Sequence, residues 1–98
     1  MSDTVKIVAV LTAAAGKRNA LASAMTTFVN ATRQEAGCLE FVLHESLDDE
    51  RVLVITELWA NDAALQAHLQ GPAVSALKMT DMTGLVSDNK LHHLRALT

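Results

Sequence analysis

Residues 5–12 (Val5, Ile7, Val8, Val10 and Leu11 among them) are almost continuously apolar and rich in β-branched side chains. That pattern predicts a first strand buried on both faces. Gly16 punctuates it, and a helical period follows, with Leu21, Met25, Phe28, Thr32 and Ala36 on one face. Lys17, Arg18, Arg33 and Gln34 lie on the other sides, and Gly37 stands where such a helix would end. Residues 38–46 alternate, with Leu39, Phe41 and Leu43 against Glu40, Val42 and His44. The polar turn Asp48-Asp49-Glu50 then leads into a third strand, Arg51 to Trp59, so the two strands form a hairpin. One face of the third strand carries Leu53, Ile55, Glu57 and Trp59, and the other Val52, Val54, Thr56 and Leu58.

Asn61 or Asp62 can cap a short second helix whose inner face holds Ala64, Leu65, His68 and Leu69. Gly71-Pro72 closes that helix and opens another turn or two reaching toward Gly84. Ser87-Asp88-Asn89 reads as a loop, and Lys90 to Leu97 as a weakly alternating last strand. The resulting order, β-α-β-β-α-β, is the split arrangement of an α+β, ferredoxin-like sandwich. Helices on one face of a four-stranded sheet leave the other face bare. Strands one and three are apolar on both faces, so a second subunit is expected to cover that side as a symmetric homodimer.

Composition narrows the picture. A chain of 98 residues, half of them hydrophobic, fits one domain with an ample core. Net charge is −3, with 8 basic against 11 acidic residues and no basic stripe, which argues against a nucleic-acid partner. Cys38 is the only cysteine, so an intrachain disulfide is excluded and a reducing, cytoplasmic setting is expected. The apolar run from Ile7 to Ala15 is too short to span a bilayer and has the wrong flank for a signal peptide, so no membrane association is expected.

Candidate chemistry gathers on the third strand and second helix. Glu57 is a carboxylate among Leu53 and Ile55, where burial is costly without a partner. The plain alternative is a strand-end carboxylate that reaches water. His68 lies on the apolar side of the second helix, where it is either a satisfied core histidine or a general base. A Glu57–His68 pair is expected from the strand–turn–helix geometry. Trp59, the only tryptophan, is either core or a pocket wall on which a flat substrate stacks. His92 and His93 are adjacent on a strand, so they point to opposite faces and cannot chelate one metal together. Cys38 and His44 are too scattered for a zinc set, and no metal site is expected. Phosphate-binding glycine loops, dinucleotide fingerprints and nucleophile elbows are absent, so no bound cofactor is expected.

Two stretches carry a resemblance. Glu35-Ala36-Gly37-Cys38-Leu39-Glu40-Phe41, and Glu57-Leu58-Trp59 followed by the helix that ends His68-Leu69, together resemble the antibiotic biosynthesis monooxygenase family. That family has a Glu-x-Gly-Cys segment opening the second strand, then Glu-x-Trp and a His on the next helix. The resemblance extends over nearly the whole chain, 1–98, as one domain. It implies a dimeric α+β barrel, and members that oxidise phenols or quinols with molecular oxygen and no cofactor. Other members degrade haem, isomerise a small phosphorylated sugar or have no known activity.

The haem-degrading pattern is not met: the first strand has no Asn, the helix position holds His68, and ten residues on stands Lys78. The second His that many quinol-oxidising relatives carry after the helix-ending Pro is replaced by Ala73. On this resemblance the chain is expected to be a cofactor-independent monooxygenase of a quinol or polyphenol. His68 would be its base, oriented by Glu57, with Trp59 packing on the ring and Phe28, Met79 and Met82 lining or gating the pocket. The alternatives are a non-catalytic, small-molecule-binding or stress-related dimer, and an isomerase acting on a small carbonyl compound.

Overall fold

The computed structural model describes residues 3–98. Seven elements follow in the order β1 (Val5–Ala13), α1 (Arg18–Thr32), β2 (Cys38–Glu45), β3 (Val52–Trp59), α2 (Asp62–Leu69), α3 (Pro72–Lys78) and β4 (Val86–Leu94). The strands form one antiparallel sheet in the order β2-β3-β1-β4. This is the α+β, ferredoxin-like arrangement expected from the pattern of the chain. The smallest extent of the molecule is 17 Å, which suits two layers, a sheet and its helices. No helix among the described residues is long and apolar enough to cross a membrane.

Period-two alternation divides the sheet. Ile7, Ala9, Leu11 and Ala13 of β1, with Leu53, Ile55 and Trp59 of β3, are buried beneath the helices. Leu21, Met25 and Val29 of α1 and Leu65 of α2 close the core from above. The opposite sheet face presents Val8, Val10, Val54 and Leu58, all half-buried, and no helix among the described residues packs over them. Central strands with apolar side chains on both faces are thus visible directly.

Three boundaries differ from the expectation. First, α1 stops at Thr32 rather than Ala36. Short-range turns follow, with Gln34 N–H donating to Ala31 O and Glu35 N–H to Thr32 O, and Arg33 Nε donates to Phe41 O. Second, Leu39 is exposed rather than sharing Phe41's buried face, because the β2–β3 register shifts between Cys38 and Glu40. Third, β4 begins at Val86, so residues 87–89, expected as a loop, lie within the strand, with Asp88 and Asn89 paired to β1 and Ser87 at a register irregularity, and the strand ends at Leu94 rather than Leu97. An edge strand needs only backbone pairing on one side, so polar residues do not end it.

One glycine has a structural necessity. Gly37 has φ +80°, and a Cβ there would collide with the Cβ of Ala64 in α2. Gly37 O also accepts a hydrogen bond from Ala60 N–H at 2.8 Å. The turn before β2 and the start of α2 are therefore held in direct contact. α2 itself is set by Asn61, whose side chain accepts from Ala64 N–H at 2.8 Å. Pro72 opens α3 at a position where its missing N–H costs nothing.

Candidate active site

The helices cover the sheet incompletely on the β4 side, and a cavity of about 330 Å³ opens there. That volume lies within the range of small-molecule sites, roughly 300–1,000 Å³. Its floor is apolar, from Ile7, Ala9, Leu11 and Ile55, and Phe28, Leu65, Leu77 and Met82 contribute to the walls. Of the lining residues only Glu57, His68, Asn89 and His93 are polar.

His68 is only 4% exposed, and α2 lays it over the end of β3. Its ring stacks on Trp59 with centroids 4.6 Å apart at 32°. Phe41 and Phe28 lie 5.7 Å and 5.8 Å from it. The imidazole is thus fixed in an aromatic cage. Its Nδ1 is 2.6 Å from Glu35 Oε1. A carboxylate can only accept, so in this pair Nδ1 carries the proton, and in the neutral ring the lone pair is then on Nε2. Nε2 has no hydrogen-bond partner among the described residues.

Glu35 sits in the turn between α1 and β2, on the segment that Gly37 locks against α2. Its second oxygen, Oε2, is buried without a partner. Gly71 faces that oxygen, and a Cβ there would come within 3.4 Å of Oε2 and 3.0 Å of Ala67 O. The Glu-x-Gly spacing therefore has a physical content. The Glu holds the histidine, and the Gly lets the helix that carries the histidine come close enough.

Glu57 is 7% exposed and accepts from Trp59 Nε1 at 3.0 Å through Oε1. Burial pushes its carboxyl above the ordinary value, against the opposing effects of the Trp59 hydrogen bond and of His68 and His93. Across the sheet, Glu57 and His93 both pair with Ile7, one from each side. They therefore rise from the same face, with Ile7 between them. His92 pairs with Val8 and belongs to the opposite face.

The expected site residues divide accordingly. Glu57, His68, Phe28 and Met82 line the cavity. Trp59 is fully buried behind His68 and does not line it, so the ring it packs on is the imidazole and not a ligand. Met79 is 90% exposed and stands away from the cavity, because α3 ends at Lys78 and the chain turns outward. The hydrogen-bonded Glu57–His68 pair is replaced by two others, His68–Glu35 and Glu57–Trp59. Trp59 lies two residues from Glu57 on the same strand face and satisfies one carboxylate oxygen, while the α1–β2 turn reaches His68 from the other side. Glu35 and His93 were the residues that sequence reasoning missed as site groups. Glu35 was in view as the first residue of its motif. His93 needed the β1–β4 register to be seen facing Glu57.

Away from the cavity, His44 lies 2.9 Å from Thr56 Oγ1 on the uncovered sheet face. The Cys38 thiol is pushed up by burial and by the carboxylates of Glu35 and Glu57. Neither contributes to the cavity lining.

Comparison with known proteins places the fold and the family. PA3566 from Pseudomonas aeruginosa superposes with a TM-score of 0.91 at 31% identity, covering 100% of this chain and 98% of that one. A Deinococcus radiodurans protein whose name places it among the antibiotic biosynthesis monooxygenases is 33% identical, with a TM-score of 0.77, covering 94% of this chain and 91% of its own. A curated relative, an uncharacterized protein of Synechocystis, is 35% identical over 46 residues, 47% of this chain and 31% of that protein. The match thus spans under a third of that relative's length. The family model described as antibiotic biosynthesis monooxygenase matches residues 4–78, which include the Glu35–His68 pair, Glu57 and Trp59 and leave β4 outside. With most of its length matched and the fold shared, the chain belongs to the antibiotic biosynthesis monooxygenase family.

Proposed function

We propose that this protein is a cofactor-independent monooxygenase that oxidises a quinol or polyphenol with molecular oxygen. The observation that carries the reading is His68. It is caged by aromatic rings, its Nδ1 is held by Glu35, and it lines an apolar cavity of ligand size. A phenol placed with its hydroxyl at Nε2 would lose its proton there. The phenolate is electron-rich enough to reduce oxygen directly. For a quinol with a free ring position the balance closes without a further reductant. One oxygen atom becomes a hydroxyl on the quinone product, the other leaves as water, and the substrate supplies all four electrons. Glu35 serves as a positioning residue that keeps the imidazole in the tautomer with a free Nε2, in the manner of a buried carboxylate behind a catalytic histidine.

The test is oxygen uptake with a panel of quinols after metal chelation, corrected for each quinol's own autoxidation. Uptake without added cofactor is expected for the native protein, and its loss in His68→Ala. Glu35→Gln, which permits the wrong tautomer, should lower kcat by roughly 10²-fold or more with a smaller change in KM. Unchanged turnover in both variants would remove His68 from the mechanism.

A further inference from the structure

The geometry points to Glu57 and His93 as a pair of hydrogen-bond donors that hold the phenolate oxygen left when His68 removes a phenolic proton. This rests on the phenol-oxidising reading above and assigns a role to two groups that the base does not use. The placement follows from register. Glu57 on β3 and His93 on β4 flank Ile7 on the helix-covered face. Two strand spacings put their Cα atoms roughly 10 Å apart. Side chains rising from both sides of Ile7 leave room between them for one ligand oxygen.

Trp59 gives the pair its direction. Its indole N–H occupies Oε1 of Glu57, which leaves Oε2 as the oxygen available to the cavity. Burial raises the carboxyl, so it keeps its proton further up the pH scale than an exposed carboxylate would. In the protonated carboxyl the indole excludes the proton from Oε1 and leaves it to Oε2, where it makes an O–H donor. An ionised Glu57 would repel a phenolate, whereas a neutral one binds it. A carboxylic acid held neutral by an apolar site is a known type of oxyanion donor.

The rest of the cavity supplies no competing partner at this end. His68 with Glu35 behind it is the other titratable pair there. Asn89 pairs with Leu11, two rows of the sheet away from Ile7. In the proposed step the proton passes from the phenol oxygen to His68 Nε2, and no bond to Glu57 or His93 is broken. Their hydrogen bonds shorten onto the oxygen as its charge develops, which is where fixed donors act most strongly.

Absorbance titration of 4-nitrophenol across pH, with saturating protein, reads the assignment directly. 4-Nitroanisole, which has the same ring and no ionisable oxygen, serves as the control. In the native protein the bound phenol should ionise about two pH units or more below its value in water, since each donor to a charged oxygen favours the anion by roughly tenfold or more. His93→Phe, on an exposed strand, and Glu57→Leu should each lose about one unit of that shift. Detectable binding of 4-nitroanisole by each variant shows that its cavity is still formed, and the phenol's shift is read in that state. A shift retained in both variants would overturn the donor assignment and leave the His68 base standing. An upward shift in the native protein would likewise overturn it, since an apolar cavity without donors disfavours the anion. Failure of the native protein to bind either probe would defeat the phenol reading itself and this inference with it.

Discussion

At the scale of single residues, Glu57 carries a cost that pH reveals. Its folded-state pKa lies above the ordinary 4.5. The folded protein therefore binds more protons than the unfolded chain between 4.5 and the raised value, and stability falls as pH rises through that window. Below 4.5 the carboxyl is protonated in both states and the cost disappears. Glu57→Gln keeps an oxygen for the Trp59 N–H and cannot ionise in either the folded or the unfolded state. It should raise Tm at pH 7 by a few degrees and leave Tm nearly unchanged near pH 4, as read by calorimetry at the two pH values. An equal shift at both would show that the carboxyl's ionisation is not the source. That Glu57 would be unusual was legible in the sequence from its apolar neighbours Leu53 and Ile55. Its hydrogen-bond partner was not. Both His68 and Trp59 were within reach on strand and helix spacing, and only the distances separate them.

At the scale of elements, the turn before β2 and the first turn of α2 behave as one piece. Gly37 has a positive φ and no room for a side chain against Ala64. Gly37→Ala is expected to destabilise the protein by about 2 kcal/mol in urea denaturation, from backbone strain and the collision together. Ala64→Gly in the same chain should relieve the collision and leave the strain, recovering part of the loss. The recovery is read against Ala64→Gly alone, because glycine in a helix itself costs about 0.5–1 kcal/mol. A Gly37→Ala loss of the same size in both backgrounds would mean that α2 is not what the glycine accommodates.

The element order, the hairpin and the cap at Asn61 were readable because alternation, turn residues and capping are local signals. The α1 end and the start of β4 were not. The Arg33 side chain ties the end of α1 to the Phe41 carbonyl, and Asp88 and Asn89 are recruited by the edge of β1. Both are tertiary effects that a local pattern does not contain.

At the scale of the whole molecule, the sheet has helices on one face and an apolar centre on the other. Val8, Val10, Val54 and Leu58 form an apolar centre on the uncovered face, with Lys6 and Glu40 3.7 Å apart near its margin. We expect a homodimer packed through these sheet faces, burying more than about 1,000 Å² in total. Light scattering at micromolar concentration should give twice the chain mass. Val10→Asp, which places a charge at the centre, should shift the protein toward monomer. A native monomer under those conditions ends the idea. The apolar character of this face was visible in the sequence, because a run such as Val8-Ala9-Val10-Leu11 has no polar side to give to water.

The edge strand β4 contributes little to the buried core, since eight of its nine residues are exposed. Yet it supplies Asn89, Leu91 and His93 to the cavity wall. Exchanges at such exposed positions usually change stability by no more than about 0.5 kcal/mol. The groups that cage and orient His68 lie elsewhere, in the core and in the turn before β2. Selection can therefore revise one wall of the cavity by single steps while the base stays in place. Such a division lets a small scaffold drift between ligands without passing through unfolded ancestors.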